Sequence, residues 1–326
     1  MTKKKIISVM IPTYNEEENV RPIYEAVRNE ITKSLPEYGY EILFIDNKSQ
    51  DKTRSIIEDI CAEDKCVRAI FNTRNFGQFN SPYYGIIHTS GDCTITICAD
   101  FQDPVEMIPT FVHEWEKGYK IVIGRKTKSQ ENRMVYFLRG CYYKLIHKMS
   151  SVEIIEQFTG FGLYDCSFVN TLRDLKDPTP FIRGIVAELG PERKEVEYTQ
   201  PMRRAGKTHN NWYTLFDAAM LSFTSYTKTG MRVAEFLGFI TAVLSFIIGL
   251  IYLVAKLICW DKFVAGYAPT MIAIFFIGGV QLTFMGFLGE YIMAMNARLM
   301  NRPLVIEEKR INFECDSESS IPTCVT

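Results

Sequence analysis

Ile6-Ile-Ser-Val-Met-Ile11, broken at once by Pro12-Thr-Tyr-Asn-Glu-Glu17, is the stretch on which the fold turns. An apolar run of this length is too short for a helix and fits a strand buried on both faces. The basic Met1-Thr-Lys-Lys-Lys5 before it gives a superficial likeness to a secretory leader. The run is too short for that and no small-residue cleavage site comes after it, so it reads as a retained first strand. Working outward, further strand patterns fall at Glu41–Ile45, Val67–Phe71, Thr94–Ala99 and Lys120–Gly124. Helical patterns separate them at Glu16–Leu35, Gln50–Asp64, Gln78–Thr89 and Pro104–Lys117. This βαβα rhythm predicts a mostly parallel, Rossmann-like α/β sheet covered by helices. Ligands of such sheets bind beyond the C-terminal ends of the strands.

The chain has 326 residues, with 37 Lys+Arg against 38 Asp+Glu. That balance excludes a nucleic-acid binder that relies on a globally basic surface. Charged residues at 23% and aromatics at 13% exclude a disordered chain. The nine cysteines form no C-x-x-C pair and are odd in number. They are read as reduced thiols packing as small apolar groups, not as a zinc site or a secreted disulfide framework.

The segments that leave the strands are polar. Asp46-Asn-Lys-Ser-Gln-Asp51 comes after the second strand, Asn72-Thr-Arg-Asn-Phe-Gly77 after the third and Asp100-Phe-Gln-Asp-Pro104 after the fourth. No G-x-G-x-x-G or G-x-x-x-x-G-K-[ST] loop is present to cradle phosphates. A divalent cation bridging carboxylate and diphosphate is another way to hold them. Asp100 and Gln102, two residues apart, can point to the same side and offer oxygen ligands suited to Mg2+ or Mn2+. Asp103, before Pro104 and three residues ahead of Glu106, reads as a helix N-cap.

In this order, the segments Pro12-Thr-Tyr-Asn-Glu-Glu17, Ile45-Asp-Asn-Lys-Ser-Gln-Asp-Lys-Thr53, Arg74-Asn-Phe-Gly77 and Asp100-Phe-Gln-Asp-Pro104 resemble the family 2 glycosyltransferases. The likeness is to the branch with polyprenyl-phosphate acceptors, the dolichyl-phosphate mannose synthases and bactoprenol glucosyltransferases. Arg203-Arg-Ala-Gly-Lys-Thr208 resembles that branch's R-x-x-G-x-[ST]-K segment. The resemblance implies a GT-A fold, a nucleotide-diphosphate-sugar donor (UDP-sugar favoured), a divalent metal, Mg2+ or Mn2+, and inversion at the anomeric carbon. It places Pro12, Tyr14, Glu16 and Asp46 on the nucleoside, with Arg74 in the same donor-binding set. It assigns Asp100 and Gln102 to the metal, and Arg203, with Arg204 and Lys207, to the acceptor phosphate.

The sequence departs from the family at four places. Asn47 stands next to Asp46 where two acids are usual, and Cys98 stands at the head of Cys98-Ala-Asp-Phe-Gln102 in place of an Asp. In Thr159-Gly-Phe-Gly-Leu163, Gly160 replaces the proposed base and Gly162 an Arg; His209 replaces a Lys. Cys98 reads as a buried strand residue. A phosphate monoester has a second pKa of about 6 and can attack without surrendering a proton, so a missing base is compatible with such an acceptor. Asp165, nearby in sequence, is a candidate catalytic substitute, although a surface or turn carboxylate is the plainer reading of it. The alternatives are a non-catalytic membrane scaffold that retains nucleotide binding and a transferase acting on a lipid-linked sugar hydroxyl.

Beyond the α/β part, Phe236–Ala255 and Phe263–Gly289 carry no charge. A helix of the first length covers about 30 Å, the hydrocarbon thickness. Two spans joined by the short Lys256–Lys262 connection predict a transmembrane hairpin. Basic residues before the first span and after the second predict a multi-pass protein of the cytoplasmic (inner) membrane with catalytic domain and both termini in the cytoplasm. Trp212, Leu215, Phe216, Ala219, Met220 and Phe223 form one apolar helical stripe, read as an interface helix on the bilayer. The expected organisation is therefore a GT-A-like catalytic domain at 1–205, a basic loop and interface helix at 206–232, two transmembrane helices at 233–296 and a cytoplasmic tail at 297–326. The expected partners are the sugar nucleotide, polyprenyl (undecaprenyl) phosphate and the lipid bilayer. The hairpin is also a surface on which copies of the chain can pack as a homo-oligomer.

Overall fold

β1 (Ile6–Thr13) and β2 (Gly39–Asp46) pair in parallel, with Ile6 opposite Gly39 and Thr13 opposite Asp46. Ile7, Val9, Ile11, Ile42 and Phe44 enter one core, while Met10, Leu43 and Ile45 enter another. Alternate residues thus serve opposite faces, and because both faces are covered the strands read as near-continuous apolar runs. The computed structural model describes residues 4–128, 155, 157–190, 192–205, isolated positions between 239 and 258, 267–300 and 302–313. The chain forms two compact units, one of residues 1–141, 153–211 and 301–326, the other of 142–152 and 212–300.

In the first unit the elements alternate as the sequence predicts. α1 (Val20–Ser34), α2 (Thr53–Glu63), β3 (Val67–Asn72), α3 (Gly77–Ile87) and β4 (Cys93–Thr96) are followed by a 3-10 turn at Val105–Met107 and α4 (Ile108–Glu116). Then come β5 (Ile121–Lys128), β6 (Phe158–Asp165), α5 (Cys166–Leu175), α6 (Ile182–Leu189) and β7 (Lys194–Thr199). The eight-stranded sheet runs β7-β5-β6-β4-β1-β2-β3-β8, where β8 is Glu307–Ile311. β1 to β4 are parallel, β6 is antiparallel to both β4 and β5, and β8 is antiparallel to β3. The sheet is therefore mixed. Val20, Ile23, Tyr24, Val27 and Ile31 give α1 its buried stripe. The helix starts at Val20, not Glu16, because Asn15 adopts φ 55° and the Glu16 carbonyl closes a turn onto the Asn19 and Val20 amides.

One polar cluster lies at the N-terminal edge of the sheet. Glu41 is buried and accepts hydrogen bonds from Ser8 Oγ, from Ser90 N at 2.8 Å and from Ser90 Oγ at 2.9 Å. Arg68 Nη1 lies 2.6 Å from its Oε1. This ion pair ties β1, β2, β3 and the turn before β4 together.

β8 belongs to the sheet although its sequence, Glu307-Glu-Lys-Arg-Ile311, gives no strand signal of its own. The Ile306 carbonyl accepts from both the amide and the hydroxyl of Thr73, and Asn312 donates to the carbonyls of Cys61 and Val67. Among the described cysteines, Cys61, Cys93, Cys98 and Cys166 are thiols. Cys66 is disulfide-bonded, which corrects the all-thiol expectation.

The second unit contains α7 (Tyr267–Leu299), one continuous helix. Among the described residues no helix is long and apolar enough to cross a membrane. That finding overturns the expected multi-pass placement in the cytoplasmic membrane. The run at Phe263–Gly289 enters a helix that continues through Glu290, Asn296 and Arg298, and Thr270, Gln281 and Thr283 interrupt its apolar character. The first expected span and the Trp212–Phe223 stripe lie outside the described residues, apart from isolated positions of the span.

Candidate active site

The strand order reverses direction at β1. From it the chain passes to β2 on one side, while β4 lies on the other, so the loops after β1 and β4 part and leave a crevice. Pro12 lies near the end of β1, Tyr14 and Glu16 sit on the first loop, and Asp100 and Gln102 on the second. Asp46 ends β2 and Arg74 follows β3 at the same edge. The expected donor-site residues therefore share one edge of the sheet because their strands are parallel.

The backbone of this edge is unusual. Asn15, Lys48 and Phe101 hold φ at 55°, 65° and 61°. Left-handed non-glycine residues cost energy, and for a bulky residue such as Phe the conformation is rare. The loops after β1, β2 and β4 each contain one. The loops are also laced together: Asn15 N donates to Ser49 Oγ at 2.9 Å, Glu16 N to Thr53 Oγ1 at 2.8 Å and Gln50 N to Asn15 Oδ1 at 2.7 Å.

Asp46 is fully buried. Its carboxylate accepts from Ser49 Oγ and from the amides of Lys48 and Ser49 at 3.1 Å, and Arg54 Nε stands 3.3 Å away. Burial pushes its pKa up, against the hydrogen bonds from Ser49 and the charge of Arg54. It shapes the turn on which the neighbouring groups stand. Asn47 extends that turn into a network the sequence did not reveal. Its amide donates to Asn75 Oδ1 at 2.8 Å and to the Gly77 carbonyl at 3.3 Å, while its Oδ1 accepts from Asn72 and Phe76 N. An aspartate here could not donate, so this chain's amide suits the loop that carries Arg74. Arg74 itself is exposed and stacks on Phe76, 4.3 Å from its centroid.

Asp100 is buried at 5% exposure, with Gln102 half-buried beside it. Asp100 Oδ1 accepts from Gln102 N at 3.1 Å. Its Oδ2 accepts from Arg203 Nε at 3.0 Å and lies 2.8 Å from Arg203 Nη2. The same Nη2 is 3.9 Å from Glu16 Oε1, so the guanidinium spans the crevice between the two loops. Arg204 N donates to the Asp100 carbonyl at 3.2 Å, and the Arg204 guanidinium covers the Phe101 ring at 5.2 Å. Asn19 Nδ2 donates both to Glu16 Oε2 at 2.6 Å and to the Ala205 carbonyl at 3.3 Å. The 201–205 segment is thus fastened onto the carboxylates of the crevice. Lys207 lies outside the described residues.

Asp103 is not a helix cap. α4 is entered through the 3-10 turn, and Asp103 is buried, accepting from Cys98 N at 3.0 Å and from the Tyr198 hydroxyl at 3.3 Å. Burial pushes up the pKa values of both Asp103 and Tyr198. The pair anchors the Asp100 loop to β7. Cys98 lies beyond the end of β4 and is exposed, not a buried strand residue.

Asp165 is excluded as a catalytic group by the direction of β6. Because β6 runs antiparallel to β4, Asp165 stands opposite Cys93, at the start of β4, whereas Asp100 lies beyond its end. There it caps α5, accepting from Ser167 N at 2.8 Å and from Trp115 Nε1 at 2.8 Å. Although burial raises its pKa, those hydrogen bonds more than offset this and leave it lowered. Asp165→Ala is expected to cost about 1–2 kcal/mol of stability, the usual worth of an N-cap. With a lowered folded pKa, this contribution is present above the ordinary carboxylate value of about 4 and is lost as pH falls through the folded value. Urea unfolding of both proteins at pH 7 and pH 3 checks it: the difference should shrink at the lower pH.

Gly160, by contrast, is at the active edge. Its carbonyl accepts from Thr96 Oγ1, and its φ is 104°. At Gly162 a Cβ would lie 2.5 Å from the Val122 carbonyl oxygen, so the arginine usual in the family cannot enter this backbone. Gly162 is thus built into the packing of β6 on β5, and Gly160 is tied to β4 through Thr96.

Among the described residues no three His, Cys, Asp or Glu side chains converge as a metal cluster. Asp100 and Gln102 do fit a divalent cation whose remaining ligands are phosphate and water oxygens, since both are hard oxygen donors and Asp100 already holds a cationic partner.

A mixed α/β sheet with acid and amide oxygens at its switch point, and no glycine loop for phosphate, is the layout of a GT-A-like enzyme. The chain belongs to glycosyl transferase family 2, whose profile matches residues 8–176. Over 304 residues it is 34% identical to the SfII prophage-derived bactoprenol glucosyl transferase of Shigella flexneri, covering 93% of this chain and 97% of that protein. It is 32% identical over 301 residues to the prophage bactoprenol glucosyl transferase homolog of Escherichia coli K12, covering 92% and 97%. Among solved structures, mannosyl-3-phosphoglycerate synthase from Rubrobacter xylanophilus aligns over 72% of this chain and 75% of its own, at 15% identity and a TM-score of 0.48.

Proposed function

We propose that the chain transfers a sugar from a nucleotide-diphosphate donor to polyprenyl phosphate with inversion at the anomeric carbon. The observation that carries this reading is the Asp100–Arg203–Glu16 bridge, which sets carboxylates and a guanidinium across the switch-point crevice. Similarity to bactoprenol glucosyl transferases along nearly the whole chain supports the same acceptor class and makes UDP-glucose the first donor to try.

The chain's own groups divide the work. The laced loops at Asn15, Ser49 and Thr53 form a rigid floor for the nucleotide. Asp100 and Gln102 would hold Mg2+ or Mn2+, which supplies charge neutralisation to the leaving diphosphate. Arg203 and Arg204 present cationic groups beside the acids and suit an anionic acceptor. The acceptor phosphate oxygen attacks the anomeric carbon, forming the new C–O bond as the bond to the diphosphate breaks and its electron pair leaves with the nucleotide. A phosphate with a second pKa of about 6 is largely dianionic at neutral pH, so no base need remove a proton. That agrees with glycine at position 160.

A panel of nucleotide sugars offered with polyprenyl phosphate and Mg2+ or Mn2+, with products read by mass, tests the reading. A lipid-phosphate sugar is the expected product. Transfer only to a lipid-linked sugar hydroxyl, or no turnover with any donor, would overturn it.

A further inference from the structure

We infer that Arg203 is a stand-in for the cation at Asp100, so that metal and donor must displace it before the 201–205 segment can receive the acceptor. This rests on the proposed function and adds an order of events to that site.

Both oxygens of Asp100 are engaged. Oδ1 takes the Gln102 amide, and Oδ2 takes two nitrogens of Arg203, at 3.0 and 2.8 Å. The guanidinium gives this buried carboxylate a charged, hydrogen-bonding partner. A divalent cation held by Asp100 and Gln102 brings two charges to a carboxylate where Arg203 already brings one. The two cannot share Oδ2, because like charges at ligand distance repel strongly when partly desolvated. Metal at this carboxylate therefore displaces Arg203 from Asp100. Other ties of the segment include the Arg204 amide on the Asp100 carbonyl, the Arg204–Phe101 stacking, and the Asn19 amide on the Ala205 carbonyl. Glu16 lies 3.9 Å from the guanidinium, and Asn19 holds its other oxygen.

The consequence is an ordered site. Without metal the carboxylates are neutralised from within and the guanidinium is committed to them. Once metal enters, the same guanidinium becomes available to a phosphate dianion. Acceptor is thereby kept from occupying the site productively before the donor is in place.

Mn2+ binding to the purified full-length chain, measured by titration calorimetry without nucleotide, tests the exchange. Removing the competing cation in Arg203→Gln should tighten Mn2+ binding by about tenfold, the scale of one partly buried charge-assisted pair. Arg204→Gln, which removes an equal charge from the ring-stacked neighbour, should change it by less than about twofold, as expected for a group off the carboxylate. In the unaltered chain, Mn2+ should also speed tryptic cleavage after Arg203 and Arg204, mapped by mass. If Mn2+ binding persists unchanged in Asp100→Asn, or is absent from the unaltered chain, the metal reading itself falls and the exchange with it. If binding depends on Asp100 but Arg203→Gln leaves it unaltered or weakens it, only the exchange falls.

Discussion

Asp100→Ala is expected to lower sugar transfer by roughly 10³-fold, the scale seen when a group that stabilises developing charge is removed from an enclosed site. The loss should appear in kcat, because diphosphate charge builds up as the bond to the sugar breaks. Asp100→Asn is the sharper variant. It keeps the volume and an acceptor for the Gln102 amide, but removes the negative charge that now holds Arg203. If charge matters, Asn should be nearly as damaging as Ala. Steady-state transfer assays with matched circular dichroism decide it. Activity within about tenfold of the unaltered enzyme, below the usual worth of such a group, would remove Asp100 from the proposed chemistry.

The second large effect is on stability. Arg68→Leu should cost about 3 kcal/mol, because it strips the cation from a buried carboxylate while the carboxylate stays. Glu41 keeps the hydroxyl of Ser8 and the amide and hydroxyl of Ser90, which places the loss at the lower end for a broken buried pair. The double variant Glu41→Gln/Arg68→Leu should recover part of it, since the uncompensated charge is then gone. Urea unfolding of the single and double variants measures the coupling. Equal losses in both would mean that Arg68 contributes by packing on Phe313 instead of by its charge.

The legible parts of the molecule were those set by local rules. β1 and β2 could be read because their apolar runs end in polar turns, and Asp100 because a strand end in a parallel sheet is a ligand edge. Three features escaped for a common reason: each depends on where distant segments meet. β8 is mostly charged, and an edge strand needs no apolar face to pair, so its pattern resembles a solvated tail. Asp165 was misplaced because periodicity does not reveal strand direction, and the reversal of β6 carries the end of that strand to the opposite edge. Arg203 was assigned to the acceptor from its motif alone, although a partner 103 positions away in the chain holds it. The uncharged runs near the C-terminus prompted a membrane hairpin. For the second run, which passes into α7, lack of charge measures composition, whereas crossing a bilayer demands sustained apolarity along one helix.

The position of β8 bears on how the protein is made. The strand that completes the sheet beside β3 is encoded after the long helix α7. During vectorial synthesis the outer margin of the sheet must wait, unpaired, until α7 and the strand after it have emerged. A nascent chain stalled anywhere between β7 and β8 would present the naked flank of β3 to whatever it meets, so premature termination is expected to yield sticky fragments instead of smaller working enzymes.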